Sequence, residues 1–235
     1  MSVHAIVLAA GSGQRFGAKK QFLDLAGKPV VIHSLSLFQD SALIEEVICV
    51  VPKSDTVFAK KLVSEYGLSK VKMVLAGGAT RQDSVSTALD YLASEKPAED
   101  IVLVHDGARP LLSLPLLEAL VAEAKKSGAV VAARPCSDSL KFVSSEGIIQ
   151  HTLPREGLWA MQTPQIFTLA VLLEAYRKGA AEGFCATDEA MLVERLGVPI
   201  KCIVGPSENI KITNPSDLQL AESFLQQKQN GALLS

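Results

Sequence analysis

Short apolar runs alternate with longer amphipathic segments along most of the chain. Apolar runs bounded by short connections are typical of buried strands, and the segments between them have helical spacing. This repetition predicts a doubly wound, mostly parallel sheet of the α/β class. The predicted strands cover residues 4–10, 46–51, 71–76, 100–105, 129–133 and 200–204, and the predicted helices cover residues 29–39, 54–66, 82–94, 115–127, 168–178, 187–196 and 215–227.

The alternation is interrupted after residue 136. Two short segments, 139–143 and 148–153, flank the turn Ser144-Ser145-Glu146-Gly147, which is typical of a β-hairpin. An isolated two-stranded hairpin is only marginally stable in water, so this one needs a cover. We therefore expect a protruding β-arm at about residues 136–155, covered either by a second copy in a homodimer or by its own domain.

The composition narrows the class of protein. The chain has 235 residues with 23 Lys plus Arg and 25 Asp plus Glu, so its net charge of −2 excludes a polybasic nucleic-acid binder. Aromatic residues make up only 5%, so the core must be built from aliphatic side chains. At roughly 150 residues per domain, the length predicts a single domain over residues 1–228 and a frayed tail at 229–235.

Cysteine usage and hydropathy favour a cytoplasmic protein. No apolar run approaches the roughly 18 residues of a membrane span, and the first residues lack the basic region of a signal peptide. The four cysteines are far apart and lack metal-ligand spacing, which indicates a reducing compartment. Cys49 and Cys202 lie in apolar runs and are predicted core residues. A plastid is the alternative location if the source is a plant, although no transit peptide is present.

Candidate chemistry lies in loops that follow predicted strands, where doubly wound sheets bind their ligands. The first such loop, residues 9–17, contains three glycines and Arg15, and Lys20 follows it. Its backbone N–H groups and cations suit a bound anion. It departs from the dinucleotide-binding G-x-G-x-x-G motif because Phe16 stands where the third glycine is needed. The alternative is a turn that is glycine-rich and basic without any ligand.

The second loop contains Gly77 and Gly78, which allow a flat ligand to lie close to the backbone. Ser84 stands in the first turn of the helix that follows. Thr80 is the predicted N-cap of that helix, and this structural role accounts for Asp83 without a ligand.

The third loop runs from His105 to Pro110 and carries an acidic and a basic side chain three residues apart. Asp106 and Arg109 suit a metal, hydroxyl or phosphate site. An ion pair between them that only closes the turn fits the spacing equally well.

The fourth loop, residues 208–213, delivers Lys211 from a predicted late strand. The flanking isoleucines should point away from it, although a lone lysine is more often a solvated surface residue. Arg155 after the hairpin and Trp159 beyond it are weak signals taken alone, and a single tryptophan is more often part of a core.

Together these loops resemble the 2-C-methyl-D-erythritol 4-phosphate cytidylyltransferases of the nucleotidyltransferase family, from about residue 6 to residue 225. The first motif alone is shared by many nucleotidyltransferases, whereas the full set in this order is specific. The motifs are Leu8-Ala9-Ala10-Gly11-x-Gly13-x-Arg15-Phe16, Lys20-Gln21-Phe22, Gly77-Gly78-x-x-Arg81-x-x-Ser84-Val85, Val104-His105-Asp106-x-Ala108-Arg109-Pro110, Arg155-x-Gly157-Leu158-Trp159, Gln162-Thr163-Pro164-Gln165, Thr187-Asp188-Glu189 and Asn209-Ile210-Lys211-Ile212-Thr213.

The resemblance implies a Rossmann-like nucleotidyltransferase fold and a specific reaction. CMP would pass from CTP to 2-C-methyl-D-erythritol 4-phosphate, with Mg²⁺, giving 4-diphosphocytidyl-2-C-methyl-D-erythritol and pyrophosphate in non-mevalonate isoprenoid synthesis. The acceptor phosphate is already ionised at pH 7, so no general base is needed. Catalysis of this kind requires cations that hold two anions together and stabilise the charge of the transition state.

The resemblance also implies roles for individual residues. The implied catalytic residues are Arg15 and Lys20 at the triphosphate, Lys211 at the α-phosphate, and Arg155 at the acceptor phosphate, in cis or across a dimer interface. The implied nucleotide-binding residues are Ala9, Ala10, Gly11, Gly13, Gly77, Gly78, Ala79 and Ser84. The implied acceptor-binding residues are Asp106, Arg109, Ser139, Arg155, Thr163 and Thr187, and Asp106 is also the candidate metal ligand. Ala79 stands where many members have an acidic residue, and Ser139 where a threonine is common.

Three other functions compete with this one. Ribitol 5-phosphate cytidylyltransferase shares most of the motifs and also uses a linear polyol phosphate, so the loop near Arg155 and Thr163 would have to distinguish the two acceptors. A regulatory protein that kept the fold without the chemistry is disfavoured, since all four candidate catalytic cations are present. A dinucleotide-binding oxidoreductase is disfavoured by the glycine spacing.

Overall fold

A computed structural model describes residues 1–11, 16–17, 19–229 and 231 of the chain. All seven predicted helices and all six predicted strands are present in it. The strands are β1 (Val3–Leu8), β2 (Asp24–Leu25), β3 (Lys28–Pro29), β4 (Glu46–Val51), β5 (Val71–Ala76), β6 (Ile101–Asp106), β7 (Ala129–Pro135), β8 (Leu140–Val143), β9 (Ile149–Leu153), β10 (Trp159–Thr168) and β11 (Lys201–Val204). The helices are α1 (Val30–Asp40), α2 (Thr56–Glu65), α3 (Arg81–Glu95), α4 (Leu114–Ser127), α5 (Leu169–Ala181), α6 (Glu189–Glu194) and α7 (Pro215–Gln229).

Seven strands form the central sheet, in the order β11-β7-β10-β6-β1-β4-β5. Six of them are parallel to one another, and β10 runs antiparallel between β6 and β7. The predicted α/β class with a mostly parallel sheet is therefore confirmed. In the middle of the sheet, Leu8 at the end of β1 lies opposite Asp106 on one side and Val50 on the other. This register brings the loops after β1 and β6 side by side.

Helices cover both faces of the sheet, as a doubly wound arrangement requires. One core layer contains apolar side chains of α1, α2 and α4, and the other contains those of α3, α5 and α6. All residues of β1, β4 and β6 are buried, which explains why these strands read as nearly continuous apolar runs. A third cluster packs Ala221 of α7 against Leu25 and Ile212. This cluster anchors the segment that carries Lys211.

The prediction missed β10, which lies in the middle of the sheet. Its polar residues Gln162, Thr163 and Gln165 are buried, so the apolar pattern of a central strand is lost. Pro164 lacks an N–H for the ladder, and the pairing with β7 shifts register between Met161 and Gln165. These features are not typical of an interior strand, so the sequence does not predict one here. The strand nevertheless pairs with β7 on both sides of the register shift.

The predicted hairpin is confirmed as a separate two-stranded sheet of β8 and β9. Gly147 in its turn has φ +81°, a conformation that favours glycine. Phe142, Ile148 and Ile149 of this arm are 54%, 62% and 61% exposed. Large apolar side chains are rarely this exposed on both faces of a hairpin. The apolar surface of the arm is therefore a candidate contact surface.

Two placements correct the sequence interpretation. Cys49 is buried as predicted, but Cys202 is exposed, because β11 is the edge strand of the sheet. Lys211 lies in an extended loop between β11 and α7 rather than in a strand. Within the described ranges, no helix combines the length and apolarity needed to span a membrane. The predicted frayed tail falls mostly outside the described residues.

Candidate active site

A cavity of about 580 Å³ opens at the carboxyl ends of β1 and β6. Four stretches of chain that are far apart in sequence line it: the end of β1 with the turn after it, the loop before α3, the end of β6, and the loop before α7. Its lining residues are Leu8, Ala9, Ala10, Gly11, Phe16, Lys20, Gln21, Gly78, Ala79, Thr80, Arg81, Ser84, Asp106, Ala108, Lys211 and Thr213. Most of the residues predicted to bind a nucleotide are therefore brought together. Gly77 lies beside this set, whereas Gly13 and Arg15 are outside the described residues.

Backbone atoms beside a pair of glycines form one wall of the cavity. A Cβ atom at Gly77 would lie 2.5 Å from Cβ of Ala10, and one at Gly78 would collide with Asp83. The Ser84 hydroxyl accepts the N–H of Gly78 at 3.2 Å and donates to the carbonyl of Thr80 at 2.9 Å. Close packing therefore requires glycine at both positions, and Gly78 lines the cavity without a side chain.

Thr80 caps α3 as predicted. Its hydroxyl accepts the N–H of Asp83 at 3.0 Å, and the Asp83 carboxylate accepts the N–H of Thr80 at 2.9 Å. This capping box fixes the start of α3, which carries Arg81 as its first residue.

Asp106 at the end of β6 is the one carboxylate among the described residues that line this cavity. Its Oδ2 lies 2.7 Å from Nζ of Lys211 and 3.9 Å from Nε of Arg109, and its Oδ1 lies 3.4 Å from Nε of Arg81. The predicted contact with Arg109 is thus the longest of three. Burial alone would raise the pKa of Asp106, but Arg81 and Lys211 lower it well below its usual value. The site therefore holds one fixed negative charge among three cations.

Lys20 and Lys211 both line the cavity and come from distant parts of the chain. Lys20 Nζ donates to the carbonyl of Ile212 at 2.7 Å, and the Ile212 N–H donates to the carbonyl of Ala108 at 2.8 Å. Ile212 is fully buried, so its neighbour Lys211 points the other way, as expected. The Asp217 carboxylate accepts both the N–H and the hydroxyl of Thr213, at 2.7 and 2.6 Å, and fixes the end of this segment to α7.

A second cavity of about 360 Å³ adjoins the first at the base of the arm. Three cations and one acid belong to its lining. The lining residues are Arg109, Arg134, Pro135, Cys136, Ser137, Asp138, Leu140, Ala160, Met161, Gln162, Ser207, Asn209, Ile210 and Lys211. Lys211 is the one described residue that lines both cavities.

Arg109 is held rigidly at this second cavity. Its Nη1 donates to the carbonyl of Asn209 at 2.8 Å, and the Asn209 amide donates to the carbonyl of Thr163 at 2.9 Å. The Arg109 pKa is lowered by burial, although the nearby Asp106 opposes that shift. These bonds link Arg109 to the segment that carries Lys211.

A hydrogen-bonded chain lies directly behind Asp106. The Thr163 hydroxyl accepts the N–H of Asp106 at 3.0 Å and lies 3.0 Å from Nδ1 of His105. Nε2 of His105 lies 3.1 Å from the carbonyl of Arg109, which can only accept, so Nε2 carries the proton. Thr163 is 4% exposed and supports the loop from behind rather than facing either cavity.

His105 should make the fold sensitive to mild acid. Burial lowers the pKa of this fully buried imidazole to about 4, whereas an unfolded histidine titrates near pH 6.5. Between these pH values the unfolded chain binds more protons than the native chain, so stability falls as pH falls. We expect His105 to remove about 3 kcal/mol of the free energy of unfolding across this window, at about 1.4 kcal/mol per pH unit.

Urea unfolding measured from pH 7 to pH 4.5 checks this expectation. The His105→Asn variant should be less stable at pH 7 but should lose less stability on acidification than the unmodified chain. Equal losses in the two proteins would show that His105 does not take up a proton on unfolding.

One protein-family model, 2-C-methyl-D-erythritol 4-phosphate cytidylyltransferase, matches residues 3–227. The chain belongs to this family. The family predicted from the motifs is thereby confirmed, and the chain is an enzyme of the nucleotidyltransferase type.

Individual members of the cytidylyltransferase family are similar over nearly their whole length. The chain is 45% identical to the 2-C-methyl-D-erythritol 4-phosphate cytidylyltransferase of Dehalococcoides mccartyi, over 95% of this chain and 96% of that protein. It is 42% identical to the protein of the same name from Syntrophus aciditrophicus, over 97% of each. The crystal structure of the Francisella tularensis protein of that name superimposes with a TM-score of 0.83 at 29% identity, covering 95% of this chain and 99% of that one.

Besides Thr163, three residues that the cytidylyltransferase resemblance placed at the acceptor lie outside both cavities of the single chain. Arg155 is exposed, and its Nη1 donates to the carbonyl of Ser137 at 3.2 Å. Ser139 is exposed at the start of the arm, and the Thr187 hydroxyl lies 3.7 Å from Sδ of Met191. Their roles as acceptor ligands stay predictions.

Arg81 and Glu189 received no role from the sequence, although both stand inside the matching motifs. Arg81 Nη1 and Nη2 bind the two carboxylate oxygens of Glu189 at 2.6 and 2.9 Å. Burial alone would lower the pKa of Arg81, but Glu189 and Asp106 raise it above its ordinary value. Motif membership was the only available signal, because the partners are 108 residues apart in sequence.

The site suits Mg²⁺ held largely by a substrate. Among the described residues there is no group of three or more His, Cys, Asp or Glu that could hold a metal ion. Mg²⁺ is commonly bound through one or two carboxylates together with substrate phosphates. The single carboxylate of Asp106, in a cavity that is also lined by Lys20, Arg81 and Lys211, fits that pattern.

Proposed function

We propose that the chain transfers CMP from CTP to the phosphate of 2-C-methyl-D-erythritol 4-phosphate, with the larger cavity holding CTP and the smaller one the acceptor. The observation that carries this assignment is the position of Lys211, which lines both cavities. An α-phosphate attacked by an acceptor phosphate must lie between the two binding sites. A lysine ammonium at that boundary can bind the phosphate throughout the reaction.

The proposed reaction is an in-line displacement at the α-phosphorus. An ionised oxygen of the acceptor phosphate forms the new P–O bond, and the bond to the pyrophosphate oxygen breaks, so no proton has to be removed from the nucleophile. Lys211 stabilises the charge on the α-phosphate, while Lys20 and Arg15 hold the triphosphate. Removing a single preorganised contact of this kind typically costs about 10²–10³ in rate.

We assign the wall beside the glycine pair to the nucleoside. The predicted contacts of the nucleotide are Ala9, Ala10, Gly11, Gly77, Gly78, Ala79 and Ser84 in the described part of the chain, and Gly13 outside it. The base can stack against the glycine pair and bond to backbone groups, since Ala79 offers no polar side chain. The cavity volume of about 580 Å³ suits a ligand of nucleotide size.

We assign the smaller cavity to the acceptor phosphate. Arg109, Arg134 and Lys211 give it a surplus of positive charge over Asp138. Asp106 borders it through its contacts with Arg109 and Lys211 and is placed to orient an acceptor hydroxyl. The buried Thr163 would support Asp106 rather than contact the acceptor directly.

Asp106 is the residue that would hold Mg²⁺, together with phosphate oxygens of CTP. The ion would neutralise charge on those oxygens when it is bound. Residues 1–228 would act as one cytoplasmic nucleotidyltransferase domain carrying the arm.

We further propose a homodimer formed through the arm. Phe142, Val143, Ile148 and Ile149 expose apolar surface there, and the predicted acceptor residues Arg155, Ser139 and Thr187 lie outside the cavities of their own chain. A second copy seated on the arm would cover the apolar side chains. It would also allow Arg155 to reach the acceptor of the neighbouring chain.

The Ile149→Asp variant should therefore be a monomer, because a buried unpaired carboxylate at the interface opposes association. Size-exclusion chromatography with light scattering measures the mass directly. The matched control is Val57→Asp, which places the same charge at an apolar residue of α2 that is 80% exposed. A dimeric Ile149→Asp protein, or a monomeric Val57→Asp protein, would contradict the arm as the interface.

The choice of acceptor is tested by kinetics. With CTP and Mg²⁺, we expect a higher kcat/KM for 2-C-methyl-D-erythritol 4-phosphate than for ribitol 5-phosphate, measured as pyrophosphate release. The family model and the relatives described above all carry the methylerythritol name, and no observation favours ribitol phosphate. Faster turnover of ribitol 5-phosphate would reverse the assignment of the acceptor while leaving cytidylyl transfer intact.

A further inference from the structure

Glu189 is a fully buried carboxylate beside the cavity. It begins α6 and has 0% exposure, and three hydrogen bonds converge on it. Two come from Arg81, and the third comes from the Tyr176 hydroxyl, which donates to Oε1 at 3.1 Å. Burial and the adjacent Glu189 both raise the pKa of Tyr176, so its hydroxyl stays protonated and keeps donating.

The bond to Glu189 fixes how Arg81 faces the cavity. A guanidinium is planar and presents its N–H groups in a rigid fork. Glu189 occupies the edge formed by Nη1 and Nη2, which turns the Nε edge towards Asp106, and the contact there runs from Nε to Oδ1 at 3.4 Å. Arg81 therefore makes one long contact with Asp106, although the positive charge of the guanidinium lies close to that carboxylate.

The weak contact with Arg81 leaves Asp106 available to another cation. Its second oxygen, Oδ2, holds Lys211 Nζ at 2.7 Å, the shortest ion pair at this carboxylate. If Arg81 were released from Glu189, its fork could bind both oxygens of Asp106, which is the preferred geometry of an Arg–carboxylate pair. Lys211 would then lose its partner at the boundary between the cavities.

We propose that Glu189 is a positioning residue for cytidylyl transfer, because it holds the Arg81 fork away from Asp106 and so keeps Asp106 paired with Lys211. This inference rests on the proposed function. Glu189 touches no substrate in this scheme and acts only through Arg81 and Asp106. A structural role alone would predict a loss of stability without any specific link to Asp106.

A double-mutant cycle separates these roles. The proteins compared are the unmodified chain, Glu189→Gln, Asp106→Asn and the double variant. A side-chain amide in place of the Glu189 carboxylate is uncharged and has one acceptor oxygen, so it cannot offer each guanidinium nitrogen an oxygen of its own. We therefore expect Glu189→Gln to lower kcat by roughly 10–100-fold with less than a threefold change in KM for CTP. In the Asp106→Asn background the same change should lower kcat by less than about threefold, because its target is gone.

If the loss of kcat in the double variant equals the product of the losses in the two single variants, the proposal is overturned. Circular dichroism and thermal unfolding establish that each variant is folded. If Glu189→Gln fails to fold, Glu189→Asp replaces it in the cycle, because the shorter side chain keeps the carboxylate but moves it away from the Arg81 fork. Tyr176→Phe is the matched control, since it removes one bond to Glu189 without releasing Arg81, and it should keep kcat within threefold.

A crystal structure of the Glu189→Gln variant tests the proposal without turnover. We expect Arg81 to bind both oxygens of Asp106 and Lys211 Nζ to move away from Oδ2. An Arg81 side chain that stays in place would overturn the positioning role, whatever the activity. An unmodified chain that releases no pyrophosphate would instead overturn the proposed function, and the crystal structure would still decide the role of Glu189.

Discussion

Replacing Lys211 by alanine is expected to lower kcat by about 10²–10³-fold while the fold stays intact. Lys211 lines both cavities, and its side chain is 37% exposed in a loop, so its removal leaves no hole in the core. The loss arises because charge develops on the α-phosphate in the transition state, and Lys211 is the one described cation that lines both cavities. Steady-state pyrophosphate release with saturating CTP and acceptor measures the effect.

Two further variants sharpen the Lys211 result. Lys211→Arg keeps the charge but changes its shape, and it should retain more activity than the alanine variant. Lys201→Ala removes an exposed lysine that pairs with Glu123 at 3.7 Å on the edge strand, and it should have wild-type kinetics. A Lys211→Ala enzyme with unchanged kcat would remove the lysine from the chemistry altogether.

The second large effect is expected for Asp106→Asn. This substitution removes the one negative charge that Arg81, Arg109 and Lys211 share, and it removes the candidate ligand for Mg²⁺. We expect kcat to fall by about 10²-fold or more. The Mg²⁺ concentration for half-maximal rate should also rise. Titration of the rate with Mg²⁺ at fixed CTP measures both quantities, and Asp90→Asn, an exposed position on α3, is the control.

The same variant should change stability in acid. The native pKa of Asp106 is lowered below its unfolded value of about 3.9, so the carboxylate stabilises the fold above that pH. This contribution is lost as pH falls below about 4 towards the native pKa. Asp106→Asn should therefore be less stable than the parent at pH 7, with the difference narrowing below pH 4. A difference that stays constant with pH would contradict the ion-pair role.

Much of the fold was predictable because its strands are buried on both faces. Residues of β1, β4 and β6 are apolar at most successive positions, which is a strong signal for a parallel sheet. The interior strand β10 was not predictable from that signal, since its buried Gln162 and Gln165 find partners only in the folded protein. Gln165, for example, donates to Asp188 at 2.8 Å.

The candidate site was predictable to the extent that it lies at strand ends. The loops after β1 and β6 had to meet, because parallel neighbours end at the same edge of the sheet. The partners of Asp106 were harder to assign, since sequence spacing favoured Arg109 while the structure places Lys211 closer. The Arg81–Glu189 pair depends on the packing of α5 against both α3 and α6, which periodicity does not reveal.

The most direct test of cytidylyl transfer is the identity of the product. Phosphorus-31 NMR of the protein with CTP, Mg²⁺ and 2-C-methyl-D-erythritol 4-phosphate should show the acceptor phosphate consumed, a pair of coupled diphosphate signals formed, and pyrophosphate released. The coupling arises because the acceptor phosphorus and the α-phosphorus become joined through one oxygen. Release of CDP, or of CMP and pyrophosphate with the acceptor left intact, would contradict the account.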